Sequence, residues 1–492
     1  MRIPRRRAIA ALGIGLPATL IGRPVAHLAL AGLADRGTLP APRAGFAEDA
    51  SRLEAVPVQT HFISADDTEA EIRALVAGAH ETGRPIAIAG ARHTMGGHTS
   101  ARDAIVIDTS YMRAMRLDEA RDVLTVGSGA LWADVLAYLD PHGRSIAIMQ
   151  GYSSFSVGGS LGANAHGWQH DRPPIASSVE SFRVMLADGR VVRASRTENR
   201  ELFGLVLGGY GLFGVVLDVD LRVVPNEIYV AKRWSVRADG YVDAFEQHVG
   251  ADPTVRMAYG RLSVPSGRFL QDALLTAYCV DPALHGPVPA LEQEKGSALE
   301  RAIFRGSVGS DYGKELRWEL ESTFGGEAGE RVSRNRILDE PAALFANRDP
   351  AMTDILQEYF VPPASFAPFL ARLREIVPRH EADLLNVTVR TVLCDDDSFL
   401  RYADQRVFSL VLLFCMPCTA EADARMAKLT REIVDAAIGV GGRHYLPYRL
   451  HASAEQLARA YPRAPAFFEA KRRWDPSLVF RNHFFDRYAS GV

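Results

Sequence analysis

The chain of 492 residues is too long for one ordinary hydrophobic core, and its length indicates roughly two to four domains. A composition of 47% hydrophobic and 23% charged residues excludes a mainly disordered, fibrous or polytopic membrane protein. The formal net charge of −3 provides no basic field for binding nucleic acid or an anionic membrane as the main task. The 4 cysteines are too few for a disulfide scaffold, so the placement of the 41 glycines is the more informative feature.

Residues 1–34 have the layout of an export signal. Arginines at 2 and 5–7 precede an uncharged apolar stretch over 8–22, and Ala29-Leu30-Ala31 has the small residues of a cleavage site. The run 5–9 is similar to a twin-arginine signal, and the apolar stretch is shorter than the roughly 20 residues that span a bilayer. We therefore expect export to a periplasmic or other extracytoplasmic location, often with a cofactor already bound. Membrane attachment would require an uncleaved signal, and a frayed basic terminus is the alternative.

Hydrophobic periodicity predicts an α+β domain over 56–228, preceded by a linker over 35–55. Thr68 and Glu71 have capping-box spacing at the start of a predicted helix over 68–82. The Asp188-Gly189 turn predicts a hairpin over 179–194. The remaining predictions for this domain are helices over 131–139 and 198–207 and strands over 85–89, 104–108, 123–126 and 214–224.

The residues that follow differ in character, with sparser glycine and charged helices. We predict a second domain over 229–435 that lies over the first, with helices over 289–304 and 366–377 and strands over 385–392 and 408–414. Residues 436–492 are dense in aromatic residues and histidine, unlike an ordinary tail.

Two glycine-rich stretches carry the chemistry of the first domain. Residues 90–99 follow a strand and contain His93 and His98, and residues 151–167 contain Ser156, Asn164 and His166. Successive backbone N–H groups in such loops form concave anion sites, and glycine allows the backbone to approach a ligand closely. A set of tight turns is the structural alternative for either loop alone.

Other cofactor and metal patterns are weaker. Gly209 to Gly214 matches G-x-G-x-x-G but leads into a strand, so no helix N-terminus is available for a dinucleotide pyrophosphate. His166 and His170 have helical spacing in a stretch broken by glycine and proline, and we predict no metal site. Cys415 and Cys418 form a lone C-x-x-C that predicts buried thiols, with a strained disulfide as the alternative.

Taken together, the motifs resemble those of the FAD-dependent vanillyl-alcohol-oxidase family, which has a PCMH-type FAD-binding domain. The likeness covers 55–225 well and the last 50 residues moderately, and it is closest to the aldonolactone and alditol oxidase branch. The motifs that carry it, in chain order, are Gly90–Thr94, Ile107-Asp108, Val126–Gly129 with Trp132, Val157–Gly159, His166-Gly167, Ala187–Gly189, Gly208–Val216, Trp474–Pro476 and Phe480–Asn482.

The resemblance implies the fold and the cofactor. The fold would be a two-subdomain FAD-binding domain, an α+β substrate domain with a mainly antiparallel sheet, and a C-terminal segment over 436–492 that returns to the FAD domain. His93 matches the histidine that bonds covalently to the flavin 8α-methyl group in many members, with plain hydrogen bonding as the alternative. The residues implied to bind FAD are Gly90, Ala91, Arg92, His93, Thr94, His98, Ser156, Val157, Gly158, Gly159, Gly162, Ala163, Asn164, His166, Gly167, Val215 and Asn482.

The implied catalytic side departs from the family pattern. Arg390 matches a family arginine, whereas Thr388 stands where those enzymes carry a glutamate and Tyr448 where they carry a lysine. We expect Thr388 and Tyr448 to contact substrate. Candidates for the catalytic groups are Arg390, His444, Tyr445 and His483.

The expected function is FAD-dependent oxidation of a CH–OH group in a small sugar, polyol, lactone or other alcohol, with hydride transfer to flavin N5 and oxygen or another redox acceptor as the oxidant. One alternative is a dehydrogenase that feeds a quinone or cytochrome, or an epimerising oxidase of a lipid-linked sugar. The other is a flavin-bearing protein without alcohol-oxidase activity. The segment 358–362 is expected to be structural, with Tyr359 as its one candidate for lining the pocket.

Overall fold

The computed structural model describes residues 18–280, 288–292, 298–323 and 331–491. The first described element is helix α1 (Ala18–Ala34), which packs through Leu28 against Ile303 and forms a buried ion pair from Asp35 to Arg301. The basic part of the predicted signal lies outside the described residues. Within the described ranges, no helix is both long and apolar enough to cross a bilayer.

The first subdomain is a four-stranded sheet in the order β1-β2-β4-β3, covered by one helix. Strand β1 pairs antiparallel with β2, whereas β2 and β3 both run parallel to β4. Since β1 lies within the predicted linker, the ordered domain begins before residue 56. The elements are β1 (Phe46–Ala47), β2 (Val56–Phe62), α2 (Thr68–Thr82), β3 (Ile86–Ala89) and β4 (Ala104–Asp108).

The second subdomain is an antiparallel sheet in the order β5-β6-β10-β8-β9, with β7 paired to the end of β10. Its strands are β5 (Met115–Asp118), β6 (Val123–Gly127), β7 (Arg144–Ile146), β8 (Val179–Met185), β9 (Val191–Ser195) and β10 (Val215–Pro225). The helices among them are α3 (Trp132–Leu139), α4 (Val157–Ala163) and α5 (Arg200–Val206).

The second domain is built on an eight-stranded antiparallel sheet in the order β14-β11-β13-β12-β16-β17-β15-β18. Its strands are β11 (Ile228–Arg237), β12 (Val255–Leu262), β13 (Asp272–Val280), β14 (Arg331–Ser333), β15 (Met352–Val361), β16 (Asp383–Val392), β17 (Val407–Pro417) and β18 (Arg443–His444). Its helices are α6 (Tyr241–Phe245), α7 (Ala298–Arg305), α8 (Asp311–Thr323), α9 (Arg334–Leu338), α10 (Phe366–Arg379) and α11 (Ala420–Gly439).

The two faces of this sheet have different environments. Successive side chains of a strand point to opposite faces. Tyr359, Val387 and Leu412 belong to an apolar core with α10 and α11. Glu358, Thr388 and Val411 occupy the other face, in one row across three neighbouring strands. That row faces the first domain.

The C-terminal segment carries helices α12 (Ala454–Ala460), α13 (Ala464–Trp474) and α14 (His483–Tyr488) back to the first domain. Phe480 forms a parallel bridge with Ile86 at the edge of β3. The turn before it is held by Asp475, whose carboxylate accepts the N–H groups of Val479 and Phe480 at 2.9 and 2.8 Å and pairs with the fully buried Lys471. Lys471 also donates to the carbonyl of Leu212 at 2.7 Å.

The α+β architecture with an antiparallel second sheet confirms the predicted fold class. Three local predictions are wrong. Asp67 rather than Thr68 precedes α2, and the Thr68 hydroxyl donates to the Ser64 carbonyl. Residues 157–163 form a short helix within the predicted glycine loop, because Ser156 caps it. Residues 289–292 of the helix predicted over 289–304 are not helical, and its described part is Ala298–Arg305.

All 4 cysteines are free thiols, so the C-x-x-C pair forms no disulfide.

We predict that Asp475→Ala destabilises the protein strongly. The substitution leaves the Lys471 ammonium buried without its carboxylate and removes the acceptor of two backbone N–H groups. Loss of one partner of a buried pair costs about 3–5 kcal/mol, and urea denaturation at pH 7 measures the free energy of unfolding.

The matched control is Asp486→Ala in the same segment. Asp486 pairs with Arg481 at the surface, with side chains 34% and 40% exposed, so its loss should cost at most about 1 kcal/mol. Equal losses for the two variants would contradict a stabilising role for the buried pair.

Candidate functional site

A large cavity lies between the glycine-rich segments of the first domain and the open face of the eight-stranded sheet. Its empty volume is about 1760 Å³ with the solvent at its mouth included. Four segments of the first domain contribute, namely residues 90–99, 150–166, 209–216 and Ser128. The sheet contributes Leu356, Glu358, Asn386, Thr388, Arg390, Val411 and Leu413, and the C-terminal segment adds Tyr445, Pro447 and Tyr448.

The hydroxyl of Ser156 joins the two glycine-rich segments. It accepts the N–H of Ala91 at 3.2 Å and, as the N-cap of α4, the N–H of Gly159 at 3.3 Å. A Cβ at Gly90 would lie 2.2 Å from this oxygen, so only glycine permits the approach. Gly158 is similarly constrained, because a Cβ there would lie 2.8 Å from the Cβ of Ser128. The wall of the cavity is therefore backbone, packed as closely as glycine allows.

Residue Arg92 at the centre of the first loop has a left-handed backbone conformation, with φ of 54°. Its guanidinium lies 2.6 Å from the buried carboxylate of Asp108 at the end of β4. A non-glycine residue in this conformation is strained unless its surroundings hold it. The ion pair supplies that restraint.

The outer part of the first loop is held by the C-terminal segment. Met95 donates its N–H to the Pro447 carbonyl at 2.9 Å, and a Cβ at Gly97 would lie 2.4 Å from the His483 ring. The Asn482 side chain donates to the carbonyls of His98 and Tyr210 at 3.0 and 2.8 Å, which ties the first loop to the 209–214 loop. Asn482 thus supports the cavity without lining it.

The ring of His93 lines the cavity and stacks on Phe155, with ring centroids 3.9 Å apart and planes 13° apart. Its Nε2 lies 3.2 Å from the carbonyl oxygen of Ser154. Burial lowers the pKa of His93 to about 4. The imidazole is therefore neutral at physiological pH. A carbonyl oxygen can only accept, so the proton is on Nε2 and Nδ1 carries the lone pair.

His98 occupies a deeper position, between Tyr210 and Phe484 at ring-centroid distances of 5.0 and 5.7 Å. Burial lowers the pKa of His98 to about 3. This histidine is packed between aromatic rings and also lines the cavity.

On the sheet side, Asn386, Thr388 and Arg390 alternate along β16 and all face the cavity. The Thr388 hydroxyl accepts a hydrogen bond from Arg261 at 3.1 Å, and Arg261 in turn lies 3.3 Å from the carboxylate of Glu321. A Cβ at Gly151 would lie 3.3 Å from the Arg390 guanidinium, so this side chain closely approaches the second glycine-rich segment.

The sheet also brings a carboxylate into the cavity. Glu358 of β15 is buried, and its Oε1 lies 2.7 Å from Nε2 of His166. It accepts hydrogen bonds from the Ser409 hydroxyl and, at 3.2 Å, from the Tyr448 hydroxyl. Burial alone raises the pKa of Glu358, but His166, Arg390 and Ser409 together bring it below its ordinary value. The carboxylate is therefore ionised at neutral pH.

Several buried polar atoms that face the cavity have no hydrogen-bond partner among the described residues. They are the Thr94 and Ser128 hydroxyls, both ring nitrogens of His98 and of His166, and Nε of Arg390. Buried polar groups are almost always satisfied in folded proteins. These groups, together with the glycine backbone around them, fit a long polar ligand with phosphate and ring portions.

The cavity brings together most, but not all, of the residues that the sequence singled out. Those that line it are Gly90, Ala91, Arg92, His93, Thr94, His98, Ser156, Gly158, Gly159, Gly162, Ala163, His166, Thr388, Arg390, Tyr445 and Tyr448. Those that lie outside its lining are Val157, Asn164, Gly167, Val215, His444, Asn482 and His483.

The residues outside the lining have identifiable structural roles. Asn164 donates to Asp395 at 2.8 Å, and Gly167 packs against the Met149 carbonyl. Val157 and Val215 are core residues, with the neighbour Val216 lining the cavity instead. His444 is buried edge-on to Tyr461, so it does not reach the cavity. His483 lies under Gly97, 3.6 Å from Glu54.

Sequence reasoning missed Glu358. The segment 358–362 was expected to be structural, with Tyr359 as the pocket candidate, but Tyr359 is buried on the opposite face of the sheet. Because neighbouring residues of a strand face opposite sides of the sheet, only one of Glu358 and Tyr359 could line the cavity. The available signal was a charged residue at the start of the apolar run Tyr359–Val361 of β15.

A model described as the FAD binding domain matches residues 63–195. Cytokinin dehydrogenase 8 of Oryza sativa subsp. indica is 33% identical over 204 residues, which cover 38% of this chain and 37% of that protein. L-gulonolactone oxidase of Mus musculus is 28% identical over 157 residues, 32% of this chain and 36% of that protein.

Decaprenylphosphoryl-beta-D-ribose oxidase of Mycolicibacterium smegmatis is 26% identical over 174 residues, 35% of this chain and 38% of that protein. The match thus spans only 36 to 38% of the length of these relatives. The FAD binding domain model covers most of the two subdomains that form the glycine-rich wall of the cavity. Residues 63–195 of this chain are therefore similar to an FAD binding domain, and the likeness to these relatives is confined to about a third of the chain.

Proposed function

We propose that the protein is an FAD-dependent oxidoreductase that oxidises a CH–OH group of a small molecule. One observation carries this proposal: a single cavity is formed jointly by the glycine-rich loops of the FAD-binding domain and by a polar patch of the second sheet. A cofactor held by the loops and a substrate held by the sheet would meet in that space. FAD, when bound, supplies a two-electron acceptor for hydride.

The residues that would hold FAD are those of the glycine-rich wall. The backbone of Gly90–Thr94 and of Ser156–Gly159 would accommodate the ligand where a Cβ has no room. The unpartnered hydroxyls of Thr94 and Ser128 would hydrogen-bond to it. Asn482 would act indirectly, by fixing the loops that carry His98 and Tyr210.

The covalent link through His93 belongs to the same proposal. The neutral ring has its proton on Nε2, toward Ser154, so Nδ1 keeps a lone pair that can attack the electrophilic 8α-methyl group of oxidised flavin. Stacking on Phe155 fixes the plane of the ring. His98, wedged between Tyr210 and Phe484, lacks comparable freedom and is not proposed as the attachment point.

On the substrate side, Thr388, Asn386 and Tyr448 would hydrogen-bond to the alcohol. Arg390 would stabilise negative charge on the substrate, because it lines the cavity and its Nε has no hydrogen-bond partner among the described residues. Two relatives are named as oxidases of L-gulonolactone and of a decaprenylphosphoryl ribose, which supports an oxygen-rich substrate. The Tyr445 hydroxyl donates to the Ala163 carbonyl at 2.8 Å, so its proposed role is to fix the loop.

We also propose that residues 1–34 direct export, so that the enzyme acts outside the cytoplasm. The arginines and the apolar run that follows support this location. Expression of the full chain with and without the two arginines at 5 and 6, followed by cell fractionation, tests it.

The experiment that tests the activity is anaerobic reduction of the bound flavin. L-Gulono-1,4-lactone, xylitol, sorbitol and glycerol are each added to the holoprotein, and loss of flavin absorbance is followed. Bleaching by at least one alcohol is expected; bleaching by none would contradict the proposed function. Readmission of air with peroxide detection then separates an oxidase from a dehydrogenase that needs a quinone or cytochrome.

We predict that His93→Ala abolishes covalent flavin. Wild-type protein should keep yellow fluorescence in a denaturing gel, the variant should lose it, and His98→Ala should retain it. Free extraction of flavin from the denatured wild type would contradict the covalent link.

The pH dependence of attachment follows from the same histidine. Because burial lowers the pKa of His93 to about 4, its nucleophilic neutral form dominates above that pH and is lost as the pH falls through it. Covalent incorporation into apoprotein should therefore be constant between about pH 5.5 and 8 rather than fall with the ordinary histidine pKa near 6.5. Fluorescence of the denatured samples measures the yield.

We predict that Gly90→Ala reduces the flavin content of the purified protein, because its Cβ would lie 2.2 Å from the Ser156 hydroxyl. Since the clash involves that oxygen, the double variant Gly90→Ala, Ser156→Ala should retain more flavin than Gly90→Ala alone. Gly78→Ala is the matched control, as no atom lies within 4 Å of its Cβ. Identical flavin content in the single and double variants would argue against the Ser156 contact as the cause.

A further inference from the structure

A buried histidine–carboxylate pair lies in the cavity. Nε2 of His166 is 2.7 Å from Oε1 of Glu358, and the side chains are 4% and 1% exposed. The two residues come from different domains, His166 from the segment after α4 and Glu358 from β15. The pair therefore forms only when the FAD-binding domain and the sheet are packed together.

The pair is held rigidly. Three aromatic rings surround the His166 ring at centroid distances of 5.4 to 5.9 Å, those of Phe360, Tyr402 and Tyr445. The Tyr402 hydroxyl also donates to the Asn164 carbonyl at 2.7 Å, which fixes the backbone just before the histidine. A catalytic group needs this kind of fixed orientation.

The contacts of the carboxylate define the state of the pair. Ser409 and Tyr448 donate to Glu358, which stabilises its charge. Both ring nitrogens of His166 are buried without a hydrogen bond among the described residues, and Nε2 is the one that lies 2.7 Å from Oε1 of Glu358. Because an ionised carboxylate only accepts hydrogen bonds, a proton shared across this distance would belong to Nε2.

We propose that His166 is the catalytic proton acceptor of the oxidation and that Glu358 is its positioning residue. The assignment rests on the proposed function. His166 lines the cavity, its Nε2 lies 2.7 Å from a carboxylate that would stabilise the imidazolium form, and its Nδ1 is the buried nitrogen that has neither a hydrogen bond nor an ion-pair contact among the described residues. A carboxylate holding one ring nitrogen while the other accepts a proton is a recurrent arrangement for general-base histidines.

The step balances with FAD as the oxidant. The substrate C–H bond breaks and hydride, carrying two electrons, passes to the flavin, which is reduced. The substrate O–H bond breaks, its proton goes to Nδ1 of His166, and the C=O bond of the oxidised product forms. Glu358 remains ionised and pairs with the resulting imidazolium.

Other groups in the cavity are less suited to accept this proton. The Tyr448 hydroxyl already donates to Glu358, and burial raises the pKa of Tyr448 well above its ordinary value. Nε2 of His93 is directed at the Ser154 carbonyl, and its Nδ1 is the proposed flavin attachment point. The charged and titratable groups that face the pair are Arg390, Tyr402, Tyr445 and Tyr448.

The first readout needs no substrate. In oxidised holoprotein, Glu358→Gln removes the negative charge 2.7 Å from His166 and should alter the absorbance spectrum of the bound flavin, as should His166→Gln. His451→Gln is the matched control, since His451 pairs with Asp423 at 2.8 Å outside the cavity and its loss should leave the spectrum unchanged.

The second readout is the rate of anaerobic flavin reduction at saturating alcohol, with whichever of L-gulono-1,4-lactone, xylitol, sorbitol or glycerol reduces the wild type fastest. His166→Gln should slow reduction by about 10²- to 10⁴-fold, with little change in substrate affinity and with flavin content retained. Glu358→Gln should slow it less and should change the pH profile of the rate.

Each outcome has one meaning. A slow, flavin-replete His166→Gln variant together with the altered flavin spectrum supports the proposal. If an alcohol reduces His166→Gln as fast as it reduces the wild type, the proton-acceptor role is overturned and the proposed function stands. A wild type that none of the four alcohols reduces overturns the proposed function and this role with it, and is recognised before any variant is made.

Discussion

The Ser156 hydroxyl is the contact on which the cavity depends. One oxygen accepts N–H groups from Ala91 and Gly159, so the loop after β3 and the start of α4 are held at a fixed separation. The approach is possible only because Gly90 lacks a Cβ. Backbone N–H groups and small residues then form the wall, and the larger side chains of His93 and Arg92 line the same cavity.

The opposite wall follows from strand register. Because Thr388, Val411 and Glu358 occupy one row of an antiparallel sheet, a carboxylate on β15 lies near the position that an acidic residue on β16 would otherwise occupy. Thr388 stands where the resemblance implies a glutamate. The cavity nevertheless contains a carboxylate, that of Glu358. The same alternation places Tyr359 and Leu412 against α10 and α11, so one sheet serves both the core and the cavity.

The C-terminal segment links the glycine-rich wall of the first domain to the wall formed by the eight-stranded sheet. Asp475 and Lys471 anchor it to the first domain, and Asn482 fixes two cavity loops through their carbonyls. Between β18 and these anchors, Tyr445 and Tyr448 of the same segment reach the cavity. The FAD binding domain model matches residues 63–195 and so lies within the first of these three parts.

By itself, the sequence determined the elements with strong periodicity, such as α2, β4 and β10, and the order of the glycine clusters, because both depend on local spacing. It also excluded a Rossmann site at 209–214, since β10 rather than a helix follows. Only the tertiary structure decided which side chains share the cavity. His444 and His483 were expected there and pack elsewhere, whereas Glu358 was missed and pairs with His166. Such contacts join residues nearly 200 positions apart, and strand direction, register and domain packing set them rather than any local pattern.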